Sequence, residues 1–81
     1  MIVRVKLFAV AKQAAGAESI ELTVPAGAMV ADVRRALIAA VPDLSHTAKH
    51  LLFAVNTEYA GDAKVIVEKD EVACIPPVSG G

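Results

Sequence analysis

The chain has 81 residues, 56% of them hydrophobic, with a formal net charge of −1 at neutral pH. That is the length of one domain, with apolar residues enough for a core, although a chain this short buries only about 60% of its unfolded surface. Near-neutral charge, and no basic stretch longer than Arg34-Arg35, argue against a nucleic-acid or anionic-membrane partner, and the arginine pair reads as a solvated helix face.

Ile2 to Phe8 alternate, with Val3, Val5 and Leu7 on one face. Period two predicts a strand with one buried face. Ala9 to Ala15 is alanine-rich and stops at Gly16, which predicts one or two helical turns with a glycine stop. Ser19 to Val24 alternates again with Ile20, Leu22 and Val24 inward, and Pro25-Ala26-Gly27 ends it. The two strands are expected to pair as a hairpin.

At Val30 the period changes. Val30, Val33, Leu37 and Val41 make one stripe of a helix that Pro42 stops. Asp32 in its first turn suits the helix dipole, whereas Met29 stands where a Ser or Thr cap is expected. Asp43 to His50 is polar with room for a short helical turn. Leu51 to Val55 predicts a strand, Asn56 to Asp62 its turn region, Lys64 to Val67 a short strand, and Glu71 to Ile75 the last strand, with Val72 and Cys74 inward. The expected core is Val3, Val5, Leu7, Ile20, Leu22, Val24, Val33, Leu37, Phe53 and Val72. With three aromatic residues in all (Phe8, Phe53 and Tyr59), that core is mostly aliphatic. The order β-β-α-β-β predicts an α+β fold of the ubiquitin-like β-grasp type: a mixed sheet on one main helix, with the first and last strands parallel neighbours. The domain is expected over residues 1–75 and a flexible tail over residues 76–81.

The tail reads Pro76-Pro77-Val78-Ser79-Gly80-Gly81. Consecutive prolines lack N–H groups and favour an extended chain, so they should end the last strand and launch the terminus outward. Six residues from Pro76 reach at most about 20 Å. Glycines without a Cβ thread a narrow channel and leave the terminal carbonyl open to attack. The Gly81 carboxylate is an anion at neutral pH. It has the chemistry to attack the α-phosphate of ATP, giving an acyl-adenylate from which a sulfur nucleophile displaces AMP. With glycine at about 7% of residues, Gly-Gly ends a random chain roughly once in 200, so the pair alone is moderate support.

Asp70-Glu71-Val72-Ala73 followed by Pro76-Pro77-Val78-Ser79-Gly80-Gly81 resembles the C-terminus of the MoaD family, the small subunits of molybdopterin synthase. Val5-Lys6-Leu7-Phe8-Ala9 and Val55-Asn56 match the same pattern. The resemblance covers the whole chain in length and element order, and its specific part is the tail. It implies a sulfur carrier: Gly81, threaded by Gly80, is activated by a partner adenylating enzyme (MoeB-like) that uses ATP, and a sulfurtransferase system converts it to a thiocarboxylate. The tail then enters the large synthase subunit (MoaE-like) and gives its sulfur to a pyranopterin precursor of the molybdenum cofactor. One departure is Glu68-Lys69, where the family often has Asp-Gly; lysine would take a positive-φ turn position less readily.

Phe8 and Ile75 fall on outward faces of adjacent strands and are expected, with Pro76, Pro77, Val78 and Ser79, to meet the partner. His46 and His50 are four apart but lack further ligands, so no metal site is read there. Cys74 is expected inward and inert, and as the single cysteine it allows no internal disulfide. No phosphate-binding glycine loop exists, so this chain should bind no cofactor of its own and ATP should sit on the partner. No apolar run approaches the roughly 20 residues of a membrane span. Met1 leads directly into strand without signal-peptide features. These features lead us to expect a cytoplasmic protein. Rival readings are a sulfur carrier of another pathway, such as thiamine synthesis, a ubiquitin-like modifier joined to lysines, and a binding module with an inert tail.

Overall fold

A computed structural model describes residues 1–77. The elements are β1 (Ile2–Leu7), α1 (Ala9–Ala15), β2 (Ser19–Thr23), α2 (Val30–Ala40), a 3-10 helix (Pro42–His50), β3 (Leu52–Val55), β4 (Glu58–Ala60) and β5 (Val72–Ile75). The strands form one mixed sheet in the order β2-β1-β5-β3-β4. The expected α+β architecture of a mixed sheet against one main helix is observed. β1 pairs antiparallel with β2 and parallel with β5, which pairs antiparallel with β3.

The period-two reading of β1 holds residue by residue: Val3, Val5 and Leu7 are buried, while Ile2, Arg4 and Lys6 are exposed. Val30, Val33 and Leu37 of α2 have no exposed surface and meet this inner face in a single core with Phe53, Val72 and Cys74. Of the expected core residues only Ile20 is half-buried, because β2 is an edge strand. α1 ends as predicted at Gly16, whose φ of 70° is the left-handed stop that glycine adopts without strain. At the start of α2 the missing Ser or Thr cap is replaced from inside the helix: the Met29 N–H donates to Asp32 Oδ2 at 2.8 Å. That hydrogen bond, with the ion pair to Arg35, holds the Asp32 carboxyl below its ordinary range.

Three segments differ from the sequence reading. Glu58–Ala60, expected within a turn, is β4. The turn is only Asn56-Thr57, with φ of 53° and 70°, and two positive-φ residues between antiparallel strands make the type I′ hairpin. Asparagine accepts that conformation readily, whereas β-branched Thr57 holds it under strain. Lys64–Val67 is not a strand, and its pairing is a single bridge between Val65 and Met29. Its backbone is committed to the approach to α2: Val30 N–H donates to Lys64 O and Ile66 N–H to Ala28 O. Ile66 is thereby buried. Asp43–His50 is the larger part of a nine-residue 3-10 helix rather than one turn.

Arg34 corrects the reading of a solvated arginine pair. Its Nη1 donates to the carbonyls of Ala48 and Leu51, both at 2.7 Å, and its Nη2 to Asp62 Oδ1 at 2.8 Å. The guanidinium lies 5.0 Å from the centroid of the Phe53 ring. The side chain is 20% exposed, against 70% for Arg35, which only pairs with Asp32 on the helix surface. Arg34 therefore ties α2 to the end of the 3-10 helix, the start of β3 and the turn after β4. Its replacement by alanine leaves two carbonyls without their charged donor and should cost about 2–3 kcal/mol, whereas Arg35→Ala should stay within about 0.5 kcal/mol. Chemical denaturation of the two variants checks the contrast.

Candidate functional site: the end of the central strand

β5 lies between β1 and β3, so its last residue leaves the sheet at its centre rather than at an edge. Val72 and Cys74 are buried on the inner face, and Ala73 and Ile75 are half-buried on the outer face, as the alternation predicted. Burial raises the Cys74 thiol to about 11, with Arg34 acting weakly in the other direction, so the thiol stays neutral and unreactive.

The strand stops for a reason written in its neighbours. Asn56 N–H donates to Glu71 O at 2.8 Å. The backbones of Glu71, Ala73 and Ile75 therefore turn toward β3, and those of Val72, Cys74 and Pro76 toward β1. Extended along the Leu7–Cys74 register, an N–H at position 76 would seek the carbonyl of Phe8. That oxygen already accepts from Ala11 and Lys12 at the start of α1. Proline has no such N–H to leave unpaired. On the other side, Ile75 pairs with Leu52, the first residue of β3, and Pro77 offers no donor for the position beyond. Pro76 is buried and Pro77 exposed. The burial of the domain thus runs one residue past the expected boundary at Ile75, and of the two proline rings only that of Pro77 is open to a partner. Val78, Ser79, Gly80 and Gly81 lie outside the described residues.

Phe8 is one residue beyond the Leu7–Cys74 pair, with extended backbone before α1 begins, which puts it beside Ile75. It is 40% exposed, and Lys6 Nζ lies 5.5 Å from its ring centroid. Leu52, opposite Ile75 on β3, is 49% exposed and extends the same apolar face toward Tyr59, which is opposite Ala54 on β4. Sequence reasoning missed Leu52 because the apolar run Leu51–Val55 has no alternation to show which side chains face out; only the pairing decides it.

The other end of β5 is pinned by side chains. Asn56 Nδ2 donates to Asp70 Oδ1, Val67 N–H to Asp70 Oδ2 and Glu71 N–H to Asn56 Oδ1, each at 2.9 Å. One positive-φ asparagine thus closes the β3–β4 hairpin and fixes the entry of β5. The Val67 N–H, then the Asn56 amide, hold the Asp70 carboxyl below its ordinary value of 3.8. Lys69 keeps a negative φ, so the Glu68-Lys69 departure places no strain on the turn. His46 and His50 are both exposed on the 3-10 helix, whose three-residue turn puts a spacing of four on different faces. Among the described residues no three His, Cys, Asp or Glu side chains gather as metal ligands would, and no helix is long and apolar enough to cross a membrane.

The profile of the ThiS family matches residues 5–81. The chain belongs to the ThiS family. It is 37% identical to the molybdopterin synthase sulfur carrier subunit of Chlamydomonas reinhardtii, covering 100% of both chains. It is 33% identical to the Arabidopsis thaliana protein of the same description, covering 98% of this chain and 82% of the relative. In structure it matches the small archaeal modifier protein 1 of Haloferax volcanii with a TM-score of 0.82 and 29% identity, over 95% of this chain and 98% of that one. It also matches a chain of the complex of subunits 1 and 2 of molybdopterin-converting factor from Helicobacter pylori, with a TM-score of 0.68 and 100% of both chains covered. At 21% identity that likeness speaks for the fold. The ThiS-family chain is thus a full-length homologue of molybdopterin synthase sulfur carrier subunits, on the ubiquitin-like β-grasp fold.

Two outcomes are expected of this site. A depressed native pKa means that Asp70 adds stability above the carboxylate range and loses it as pH falls through that native value. The melting temperatures of wild type and Asp70→Asn should differ at neutral pH and converge in acid. Phe8→Asp and Ile75→Asp replace residues of the outward face and should leave the fold intact, with melting temperatures close to that of the unaltered chain in a thermal scan.

Proposed function

We propose that this ThiS-family chain is the sulfur carrier of a molybdopterin synthase, working through the Gly81 carboxylate. The observation that carries the reading is a central strand ending on Pro76-Pro77 beside an exposed apolar face, in a full-length homologue of sulfur carrier subunits. The steps follow from the chemistry of a carboxylate. A Gly81 oxygen attacks the α-phosphorus of ATP held by an adenylating enzyme of the MoeB kind, and pyrophosphate leaves. Hydrosulfide, sulfur at the sulfide level supplied by a sulfurtransferase system, attacks the acyl carbon, the acyl–phosphate oxygen bond breaks, AMP leaves, and a thiocarboxylate remains. Inside a large subunit of the MoaE kind, that sulfur forms a bond to a carbon of the pyranopterin precursor as an oxygen substituent leaves that carbon, and water then cleaves the acyl–sulfur bond, leaving the sulfur on the pterin and returning the carboxylate.

Each partner has work that this chain does not do. The chain supplies an acyl group on a tether; ATP binding and the pterin site belong to the partners. Gly80 and Gly81 pass a narrow channel because they have no Cβ, and Pro77, Val78 and Ser79 line the tether. Phe8 and Ile75, joined by Leu52, form the grip. The chain is not catalytic by itself, carries no cofactor or metal, and works in the cytoplasm, where thiols stay reduced.

A second reading, a modifier joined through Gly81 to target lysines, is favoured by the likeness to small archaeal modifier protein 1. The two readings share the adenylate and differ in the acceptor, sulfide or amine. Intact mass of the chain from its own cells separates them: the carrier gains the difference of one sulfur for one oxygen, and the modifier appears in conjugates. Adding one residue after Gly81 turns its carboxylate into an amide and moves the terminus by about 3.3 Å. Reconstituted conversion of the pterin precursor should then cease while the melting temperature stays unchanged, and continued conversion without trimming would overturn the carrier reading.

A further inference from the structure

Pro76 stands apart from the rest of the tail. A proline just past a strand that launches a chain into solvent is expected to be exposed, yet Pro76 is buried while Pro77 is exposed. The alternation Val72, Cys74, Pro76 continues the inner face of β5 one step beyond its last ladder pair. On the β1 side the Phe8 carbonyl is already taken by the first turn of α1, so no ladder hydrogen bond is available at position 76. On the β3 side Leu51, the residue facing position 76 in the extended register, has its N–H on Thr47 O and its carbonyl on Arg34 Nη1. Position 76 turns its backbone toward β1, where the Phe8 carbonyl is taken, and Leu51 directs its own groups away from it, so a buried ring with a fixed φ is what remains to hold the chain.

We propose that Pro76 is a positioning residue for sulfur transfer: its buried ring is the fixed post from which the tether to Gly81 is measured. This rests on the sulfur-carrier reading above. The five steps from Pro76 to Gly81 span at most about 17 Å. A post that slides or swivels spreads the position of the acyl carbon, and misplacement by about 1 Å can lower a rate a hundredfold. The sequence pair Pro-Pro thus divides into two roles. Pro76 fixes the origin of the tether, and Pro77 stiffens its first step.

The test uses the full chain assembled with the large subunit. Pro76→Gly, Pro76→Ala and Pro77→Gly are prepared as thiocarboxylates, and single-turnover conversion of the pterin precursor is followed at varied concentrations of the large subunit. For Pro76→Gly the saturating rate should fall by about tenfold to a hundredfold, with half-saturation unchanged. Pro76→Ala should fall less, because it keeps a Cβ in the buried site, and Pro77→Gly least. A merely structural role would lower the melting temperature or the affinity and leave the saturating rate intact. A nitroxide on Ser79→Cys, read against a second label on Thr23→Cys, should give a broader distance distribution in Pro76→Gly than in Pro76 chains; Cys74 is buried and stays unlabelled. Wild-type transfer by Pro76→Gly, or an equal loss in Pro77→Gly, overturns the proposal. Failure of the unaltered chain to be adenylated with ATP overturns instead the carrier reading on which it rests.

Discussion

A parallel strand pair cannot be closed by a tight turn, so the chain between β1 and β5 must travel around the domain before β5 can lie beside β1. In this protein that pairing sits at the middle of the sheet. Its consequence is positional. β5 is flanked on both sides, its inner residues are fully buried, and its exit lies between the start of α1 and the end of the 3-10 helix. The two elements that follow β1 and precede β3 therefore decide where the last strand has to stop.

Arg34 is the second constraint, and it acts on the same place. By holding the carbonyls of Ala48 and Leu51, it fixes the junction at which the 3-10 helix gives way to β3. A lysine could not do this, because a compact ammonium lacks the planar fork that reaches two carbonyls and a carboxylate while lying over an aromatic ring. The stack on Phe53 places this charge directly against the core. The cost of bringing a guanidinium to 20% exposure is offset because its donors meet three acceptors.

Where the physics is local, the sequence was readable. β1, α1, β2 and α2 announce themselves by period two, by period 3.6 and by the Gly16 and Pro42 stops. The Pro-Pro break is equally local. What escaped depends on residues distant in the chain. Arg34 looks like Arg35 in the sequence; only the return of the chain at Ala48, Leu51 and Asp62 separates a clamp from a surface charge. Glu58–Ala60 is three residues long and carries too few positions to show alternation. Lys64–Val67 is a short β-branched run of the kind strands favour, but its backbone groups are taken by the approach to α2. At the site, Phe8 and Ile75 were legible as outward residues of two strands, whereas Leu52 and the burial of Pro76 depend on which strands lie on either side.

Chain termini usually fray, and the amides nearest them exchange their hydrogens through small local openings. β5 has no such route. It sits between two strands and beneath a core that includes Val5 and Phe53, so releasing it separates β1 from β3 and opens the sheet down its middle. The amides of Val72 to Ile75 should therefore fall in the most slowly exchanging class, opening with the whole domain. A partly melted form that keeps the rest of the fold and frees β5 is accordingly not expected, because the strand that leads into the tail shares its core with β1 and β3.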